Sequence, residues 1–302
     1  MKPRVTKAVI AAAGLGTRFL PASKDIQKEM LPIVNVPAIH YVVKECIDSG
    51  ITDIIIITRP GQFSIESYFE LSPALEKFLK DTGKEDRLAD FYEVFGKANI
   101  VFAKQTSNYP YGNGSPMLIA KPFLNPDEAF IYFYSDDVVL SDTPLCKQLI
   151  DRYEADPKIE AIIAAQEVEL KDVVKYGIVK LKDPNAEDGE IDYAIEKPNV
   201  EEAPSRLATF GRYLLPYGIF NYLKVTDLGK DRELWAFDAI ERFSREHSVF
   251  AHKIEGIWLT TGDPLLLLKA NIHFFLRNAD YKNKVLDMLK KTLSSELLSE
   301  EN

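Results

Sequence analysis

The first half of the chain alternates short apolar runs with longer stretches whose apolar positions follow a helical period. The β-branched run Asp53–Thr58 is typical of a strand buried on both faces. Four of the apolar runs are predicted to be strands. They are Val5–Ala12, Asp53–Thr58, Asn99–Ala103 and Phe130–Tyr134. Helices are predicted at Pro37–Ser49 and Ser64–Phe69, and the charged stretch Glu76–Gly96 is predicted to be a helical insertion. This alternation predicts a doubly wound, mostly parallel, Rossmann-like α/β sheet.

The second half has a more mixed pattern. Strands are predicted at Ile159–Val168, Tyr176–Leu181 and Ile191–Glu196. Since no repeat or low-complexity linker separates the halves, we expect one continuous mixed sheet with an added subdomain, in a single domain over 1–302. The stretch Val285–Leu298 has a charged face and predicts a terminal helix, part of a C-terminal helical arm over 276–302 that can form oligomer contacts.

Composition and charge narrow the range of functions. Of the 302 residues, 46% are hydrophobic and 27% charged, which is ordinary for a globular protein, and the net charge of −9 argues against a nucleic-acid surface. The two cysteines, Cys46 and Cys146, lack the spacing of a zinc site and are expected to be buried. No apolar run predicts a membrane span or a signal-peptide core. We therefore expect a cytoplasmic protein without nucleic-acid or membrane partners.

A glycine-rich turn follows the first predicted strand. It reads Ala11-Ala12-Ala13-Gly14-Leu15-Gly16-Thr17-Arg18, and the segment Lys28-Glu29-Met30-Leu31-Pro32 follows shortly after. Glycines allow a left-handed backbone and close approach of a ligand, and successive N–H groups in such a turn bind anions. Arg18 and Lys28 add positive charge for phosphate oxygens. These features indicate a nucleoside triphosphate site, although a plain strand-to-helix turn would also carry the glycines.

The same turn argues against two common nucleotide-binding classes. It lacks the G-x-x-x-x-G-K-[ST] string of a P-loop, and Phe19 stands where the dinucleotide fingerprint G-x-G-x-x-G needs its third glycine. A P-loop kinase or a nicotinamide dehydrogenase is therefore not expected.

Asp136 and Asp137 follow the fourth predicted strand. Adjacent carboxylates at a strand end suit Mg²⁺, which takes oxygen ligands and bridges substrate phosphates. Because neighbouring strand residues point to opposite faces, at most one of the two is expected to contact the metal. The alternative is a solvated acidic turn.

Two further polar groups are candidate ligand contacts. The carboxamide of Gln105, with the loop Gly112-Asn113-Gly114, can pair with the edge of a pyrimidine base, or the two can be an exposed side chain and a turn. Glu196 can accept hydrogen bonds from sugar hydroxyls and Lys197 can neutralise a sugar phosphate, or the two can form a solvated surface pair.

Longer strings around these residues resemble a known family. The string G-L-G-T-R-x-L-P-A-[ST]-K from Gly14, followed by K-E-M-L-P from Lys28, is similar to that of the sugar-nucleotide pyrophosphorylases, most closely the bacterial UTP–glucose-1-phosphate uridylyltransferases. The segments Y-G-I-V from Tyr176, E-K-P from Glu196 and G-R-Y from Gly211 also match. The resemblance covers nearly the whole chain. It implies a nucleotidyltransferase fold with a nucleotide-binding half, 1–145, and a sugar-phosphate-binding half, 146–275.

The resemblance also implies a reaction and a role for each matched residue. UTP and α-D-glucose 1-phosphate would give UDP-glucose and pyrophosphate, with Mg²⁺ as cofactor, in a homodimer or homotetramer. The implied catalytic residues are Arg18 and Lys28, and the implied metal ligand is Asp136. Those implied for the nucleotide are Ala12, Ala13, Gly14, Gly16, Thr17, Glu29, Gln105 and Gly112. Those implied for the sugar phosphate are Tyr176, Gly177, Glu196 and Lys197.

Departures from the family pattern leave alternatives open. Thr260 stands where the family has a second metal-binding aspartate, and Asp263 is the other candidate for that ligand. Trp235 and Phe237 replace polar residues of the family, and Pro116 brings a residue without an N–H into the base-binding segment. The chain is therefore either an active enzyme, a catalytically weak paralogue that binds nucleotide or sugar nucleotide as a regulator, or an enzyme that uses another nucleoside triphosphate or sugar 1-phosphate.

Overall fold

The fold is built from alternating strands and helices, as the sequence predicts. The structure is a computed structural model that describes residue 2 and residues 4–229 and 232–300. The strands in these residues are β1 (Lys7–Ala12), β2 (Pro32–Ile33), β3 (Val36–Pro37), β4 (Asp53–Thr58), β5 (Asn99–Lys104), β6 (Ala129–Tyr134), β7 (Asp137–Leu140), β8 (Ala161–Glu167), β9 (Gly177–Leu181), β10 (Gly189–Glu196), β11 (Leu207–Pro216), β12 (Val249–Lys253) and β13 (Ile257–Thr260). The helices in the same residues are α1 (Ala38–Asp48), α2 (Ser64–Tyr68), α3 (Pro73–Asp81), α4 (Ala89–Tyr92), α5 (Gly114–Ala120), α6 (Leu145–Ala155), α7 (Ala236–Ser244), α8 (Pro264–Arg277) and α9 (Lys282–Glu300).

Nine of these strands form one central sheet within the described residues, in the order β5-β4-β1-β6-β11-β8-β12-β10-β9. The first four strands in this order are parallel to one another, and β12 is parallel to β8. β11 runs antiparallel to both β6 and β8, and β10 runs antiparallel to both β12 and β9. The predicted mixed α/β sheet is therefore confirmed, with its parallel pairing concentrated in the first half.

The apolar runs of β1, β4 and β6 are buried because helices cover both faces of the sheet there, whereas the edge strand β5 is partly exposed. Along β4, Ile54 and Ile56 pack into one hydrophobic cluster, whereas Ile55 and Ile57 pack into a cluster on the other face. Residues of α1 and α6 belong to the first cluster, and residues of α5 and α7 belong to the second. A strand that is buried on both faces has no solvent-facing side, so its residues do not alternate between apolar and polar. This explains the continuous apolar run of β4. The prediction that both cysteines are buried is confirmed, and both are free thiols in the first cluster.

β11 joins the two halves of the sheet, and a glycine makes this possible. Nine of its ten residues are buried, and it lies between β6 and β8. A Cβ on Gly211 would lie only 2.2 Å from the Cβ of Tyr134, at the end of β6. Because real Cβ atoms do not approach so closely, only a glycine allows β11 to reach this position beside β6.

A small second sheet lies directly after β6. In it β7 pairs with β13 in antiparallel fashion, and Asp137 stands opposite Thr260. This pairing brings the segment that follows β13 to the carboxyl end of β6, although the two strands lie far apart in the sequence.

The helical predictions outside the sheet are confirmed at the level of secondary structure. The predicted insertion Glu76–Gly96 contains most of α3, a 3₁₀ turn at Glu85–Leu88 and α4, and its side chains are largely exposed. The predicted helix Val285–Leu298 lies within α9. The oligomer contacts expected of this arm and the division into three segments stay predictions. Among the described residues, no helix combines the length and apolar character needed to cross a membrane.

We expect Gly211→Ala to destabilise the fold. The added methyl group would overlap Tyr134, so β6 and β11 would have to separate, and overpacking of this kind costs about 3 kcal/mol. Urea denaturation measures the change in the free energy of unfolding. Gly218→Ala is the matched control, because the nearest atom to a Cβ there is a carbon of Phe243 at 4.0 Å. Equal stabilities of the two variants would contradict the prediction.

Candidate functional site

The carboxyl ends of the parallel strands surround a cavity of about 230 Å³, here called the first cavity. The turn after β1, Gln105 after β5 and Asp136 after β6 all line it. Ligands bind at this edge in open α/β sheets, because the carboxyl ends of parallel strands meet there. The predicted site residues among its lining are Ala13, Gly14, Lys28, Glu29, Gln105, Gly112 and Asp136. Ala12 ends β1, and Gly16, Thr17 and Arg18 continue the turn beyond the lining residues.

The turn after β1 carries two glycines, and the backbone conformation requires one at position 16. Gly16 has a φ of 64°, in the left-handed region, and its carbonyl accepts a hydrogen bond of 2.7 Å from the Ser23 hydroxyl. Gly14 lies under the side chain of Lys28, whose Cε would be 3.6 Å from a Cβ at this position. The turn thus holds its bare backbone beneath an ammonium group, which suits an anionic ligand.

Lys28 and Asp136 form the central ion pair of the site. Nζ of Lys28 donates to Oδ2 of Asp136 at 2.6 Å. Burial alone would lower the pKa of Lys28, but the carboxylates of Asp136 and Glu29 raise it above its ordinary value. Burial alone would raise the pKa of Asp136, but Lys28 and the more distant Arg18 lower it. Both groups are therefore charged at neutral pH, and the ammonium lies between the glycine turn and the carboxylate.

Glu29 and Asp137 are the buried carboxyl groups beside this pair. Burial raises the pKa of Glu29, which accepts a 3.0 Å hydrogen bond from Ser135. Burial and the adjacent Asp136 raise the pKa of Asp137 to about 6. Asp137 accepts from the indole Nε1 of Trp258 at 2.8 Å and from the backbone N–H of Gly211 at 3.3 Å. These two contacts occupy both oxygens of Asp137, so Asp136 is the member of the pair that is available to a ligand.

The two candidates for a second metal ligand differ in their surroundings. A Cβ on Gly262 would lie 3.2 Å from Oδ2 of Asp136 and 3.5 Å from the Thr260 hydroxyl, so Thr260 lies beside Asp136. Asp263 instead caps α8, because its Oδ1 accepts from the N–H of Leu266 at 3.0 Å. Nowhere in the described chain do three or more His, Cys, Asp or Glu residues form a group that could hold a metal ion. Among the described residues, Asp136 is the carboxylate that lies beside Thr260, since Asp137 and Asp263 are engaged in internal contacts.

The far end of the first cavity is shaped by close backbone packing. Gly112 has a φ of 124°, and a Cβ there would lie 2.4 Å from the carbonyl oxygen of Leu234. Gly114 donates to the same carbonyl at 2.7 Å. Pro116 lies in the first turn of α5, where a helix does not need the missing N–H. The carboxamide of Gln105 donates to the carbonyl of Pro110 at 3.3 Å, which leaves its oxygen without a described partner.

A second cavity of about 200 Å³ adjoins the first. Asn113, Tyr134 and Asp136 line both cavities, so they meet at Asp136. The predicted sugar-phosphate residues are brought together here, since Tyr176, Gly177, Glu196 and Lys197 all line this second cavity, as does Thr260.

Aromatic residues fix the position of the Lys197 side chain. Lys197 has a φ of 46°, which is uncommon for a residue with a side chain. Its ammonium lies 3.7 Å from the centre of the Trp235 ring and 3.8 Å from Oε1 of Glu196. Phe237 packs on the backbone of Gly177, where a Cβ would lie 2.7 Å from its ring. Of the two departures from the family pattern, Trp235 therefore lines the second cavity, and Phe237 packs against the backbone of its lining residue Gly177.

Sequence reasoning did not predict several of the lining residues. Tyr134 and Glu233 line the first cavity, and Trp258 lines the second. The chain has two tryptophans, and both line the second cavity, which is a composition signal that could have drawn attention to Trp258. Tyr134 and Glu233 carry no local motif.

The family model for nucleotidyl transferases matches residues 7–274, which include both cavities. The chain belongs to the nucleotidyl transferase family. Within this family it is 39% identical to the UTP–glucose-1-phosphate uridylyltransferase YngB of Bacillus subtilis (strain 168), over 98% of each chain. It is similar to a solved structure of UTP-bound UGPase from Acinetobacter baumannii, with 34% identity, a TM-score of 0.83, and coverage of 94% of this chain and 98% of that one. A structure of UDP-glucose pyrophosphorylase complexed with UDP-glucose has 30% identity and a TM-score of 0.81, with coverage of 91% and 100%.

In this nucleotidyl transferase, Glu196 is a carboxyl group that titrates near neutral pH. Burial raises its pKa to about 7, against the lowering influence of Lys197 and with a smaller raising influence of Asp238. The folded chain therefore keeps a proton on Glu196 between its ordinary pKa of 4.5 and about 7, whereas the unfolded chain loses it. Stability falls as the pH rises through this window, because the folded state binds the extra proton.

We expect Glu196→Gln to remove this pH dependence. Between pH 4 and pH 8 the native chain should lose on the order of 3 kcal/mol of unfolding free energy that the variant does not lose. Urea denaturation at several pH values measures it. Asp192→Asn, an exposed carboxylate on the same strand, is the control and should run parallel to the native chain. If the unfolding free energy of Glu196→Gln varied with pH in parallel with the native chain and with Asp192→Asn, the raised pKa of Glu196 would be refuted.

Proposed function

We propose that this chain transfers a uridylyl group from UTP to α-D-glucose 1-phosphate, with UDP-glucose and pyrophosphate as products. The observation that carries the proposal is the meeting of the two cavities at Asp136, with Lys28 on one side and Lys197 on the other. The two sites would hold a nucleotide and a phosphorylated sugar next to each other. The names of the relative from Bacillus subtilis and of the two solved structures, which state UTP, glucose 1-phosphate and UDP-glucose, supply the substrates.

The reaction is an in-line displacement that needs no covalent enzyme intermediate. A phosphate oxygen of glucose 1-phosphate forms a bond to the α-phosphorus of UTP, and the bond from that phosphorus to the β-phosphate oxygen breaks. The nucleophile is already an anion, so no general base is required. Catalysis then consists of positioning and of charge neutralisation.

Each candidate residue has a role in this proposal that follows from its position. Lys28, above the glycine turn, would bind the α-phosphate, and Arg18 would bind the leaving phosphates. Ala12, Ala13, Gly14, Gly16 and Thr17 would hold the nucleotide with backbone groups, and Glu29, Gln105 and Gly112 would contact its nucleoside. Lys197 would bind the sugar phosphate, and Glu196, Tyr176 and Gly177 would contact the sugar.

A divalent metal is generally used in this family, and the donor set here fits one that arrives with the nucleotide. Mg²⁺ binds through one or two carboxylates plus substrate phosphates and keeps several waters. Asp136 would provide the carboxylate, with Thr260 beside it, and we propose Mg²⁺ as the ion. When bound, it would neutralise negative charge on the reacting phosphates. The homodimer or homotetramer and the cytoplasmic location stay predictions.

The decisive experiment measures pyrophosphate release for a panel of nucleoside triphosphates and sugar 1-phosphates with Mg²⁺. Release with UTP and glucose 1-phosphate as the best pair is the expected result. Release with another pair would keep the reaction and replace the substrates. No release with any pair, together with tight UDP-glucose binding, would favour the regulator.

We expect Lys28→Met to abolish most of the activity without unfolding the chain. Loss of one preorganised cation at the reacting phosphate lowers kcat by about 10²- to 10³-fold. Pyrophosphate release measures kcat, and circular dichroism checks the fold. Lys80→Met is the matched control, because Lys80 is an exposed lysine on α3 that lines neither cavity. A Lys28→Met variant as active as this control would rule out the proposed role.

We expect Thr260→Asp to strengthen cation binding. A carboxylate beside Asp136 would complete a two-carboxylate site and lower the half-saturating Mg²⁺ concentration by roughly tenfold. Titration with Mn²⁺, followed by electron paramagnetic resonance, measures affinity independently of turnover. Thr260→Val keeps the side-chain shape without the hydroxyl, and should not strengthen binding. Unchanged affinity in Thr260→Asp would show that residue 260 does not face the cation.

A further inference from the structure

Arg212 is a fully buried cation that the proposed chemistry does not use. It lies in β11 with 0% exposure, and its guanidinium is 4.2 Å from the centre of the Phe133 ring. Nη2 pairs with Oε2 of Glu45 at 3.1 Å, and Nε donates to Oε1 of the same carboxylate at 3.1 Å. This geometry is bidentate, which is the strongest arrangement of an arginine and a carboxylate.

The remaining donors of Arg212 hold the backbone on both sides of Asp136. Nη1 donates to the carbonyl of Tyr134 at 3.1 Å, and Nη2 donates to the carbonyl of Asp137 at 2.6 Å. The carbonyl of Asp136 itself accepts from the N–H of Thr261 at 2.6 Å and from its hydroxyl at 3.0 Å. The turn between β6 and β7 is thus fixed at three carbonyls, so the Asp136 side chain leaves the backbone in one direction.

Glu45 connects this turn to the element that carries Lys28. It lies on α1, which packs against the 3₁₀ turn Lys28–Met30. The first residue of α1, Ala38, donates to the carbonyl of Leu31 at 3.2 Å. Glu45 on α1 and Arg212 on β11 form one ion pair. This pair therefore links the backbone that bears Lys28 to the backbone that bears Asp136.

Stability alone does not account for such a pair. A buried ion pair contributes little net stability, because the desolvation of both charges offsets their attraction, and apolar replacements are often as stable. A guanidinium can serve a carboxylate and several carbonyls at fixed angles, whereas a lysine ammonium cannot. What the arginine provides is therefore a fixed geometry of the groups that accept its hydrogen bonds, namely the Glu45 carboxylate and the backbone carbonyls.

We propose that Arg212 and Glu45 are positioning residues that set the placement of the Asp136 carboxylate opposite Lys28. The inference deepens the proposed function and rests on it. Neither residue touches substrate in this scheme, and both act through the β6–β7 turn.

The test compares Arg212→Lys and Glu45→Gln with the native full-length chain. Arg212→Lys keeps the charge but loses the planar set of guanidinium donors. We expect kcat to fall by about 100-fold, because misplacement of a reacting group by about 1 Å has an effect of that size. Glu45→Gln should lower kcat by about tenfold, since one hydrogen bond to Arg212 survives. KM for UTP should change by no more than about threefold in either variant, because the nucleotide contacts remain. Mn²⁺ binding to the UTP complex, followed by electron paramagnetic resonance, should weaken in both.

Val249→Ala is the control for a general loss of stability. Val249 is fully buried in β12, which pairs with neither β6 nor β11. It should lower the unfolding midpoint and leave kcat and Mn²⁺ affinity near the native values. The inference is overturned if Arg212→Lys and Glu45→Gln keep native kcat and Mn²⁺ affinity, or lose no more of either than Val249→Ala. Should the native chain release no pyrophosphate, the proposed function fails, and the Mn²⁺ measurement alone then decides the positioning role.

Discussion

The antiparallel pairing of β11 with β6 is the contact on which the whole candidate site depends. β6 ends at the carboxyl edge of the parallel half of the sheet, and β11 continues the sheet into the half that carries Glu196 and Lys197. The pairing is close because Gly211 has no side chain and lies directly against Tyr134. Without that approach, the two cavities would not share Asp136, and residues from the two halves would face separate pockets. The absence of a side chain at Gly211, where β11 packs beside the end of β6, therefore determines whether there is one site or two.

Local patterns were sufficient for most of the first half of the fold. Apolar runs predicted β1, β4, β5 and β6 to within one or two residues. β1, β4 and β6 are largely buried on both faces, whereas β5 is a partly exposed edge strand. They did not predict β11, because its sequence contains a glycine and an arginine that a local reading assigns to a turn or a surface. Arg212 is nonetheless buried, since its partner Glu45 lies on a helix far away in the sequence. A short stretch of sequence around Arg212 does not include Glu45, so it cannot predict that this charge is buried.

The candidate site shows the same division between local and distant causes. The glycine turn and Asp136 could be placed at the sheet edge from their positions after strands, and the structure brings them together with Lys28. The contact between Thr260 and Asp136 could not be derived locally, because it results from the pairing of β13 with β7. The use of Asp263 as a helix cap is readable from Asp-Pro at a helix start, but only once that helix is known.

The charges around Asp136 explain what a hydroxyl at position 260 changes under the proposed reaction. The chain carries a net charge of −9, yet Lys28 and Lys197 place two cations where phosphates would bind. Asp136 already neutralises Lys28 through the 2.6 Å ion pair, so a phosphate has to compete with this carboxylate for the ammonium. A second carboxylate at position 260 would attract a divalent cation more strongly, but it would also repel a phosphate that arrives without one. Thr260 lowers that repulsion, and because the hydroxyl adds no charge, cation affinity then depends mainly on the phosphates themselves. Under the proposed reaction, Asp136 without a second carboxylate at position 260 would thus favour binding of the nucleotide and the cation as one complex over binding of the free cation.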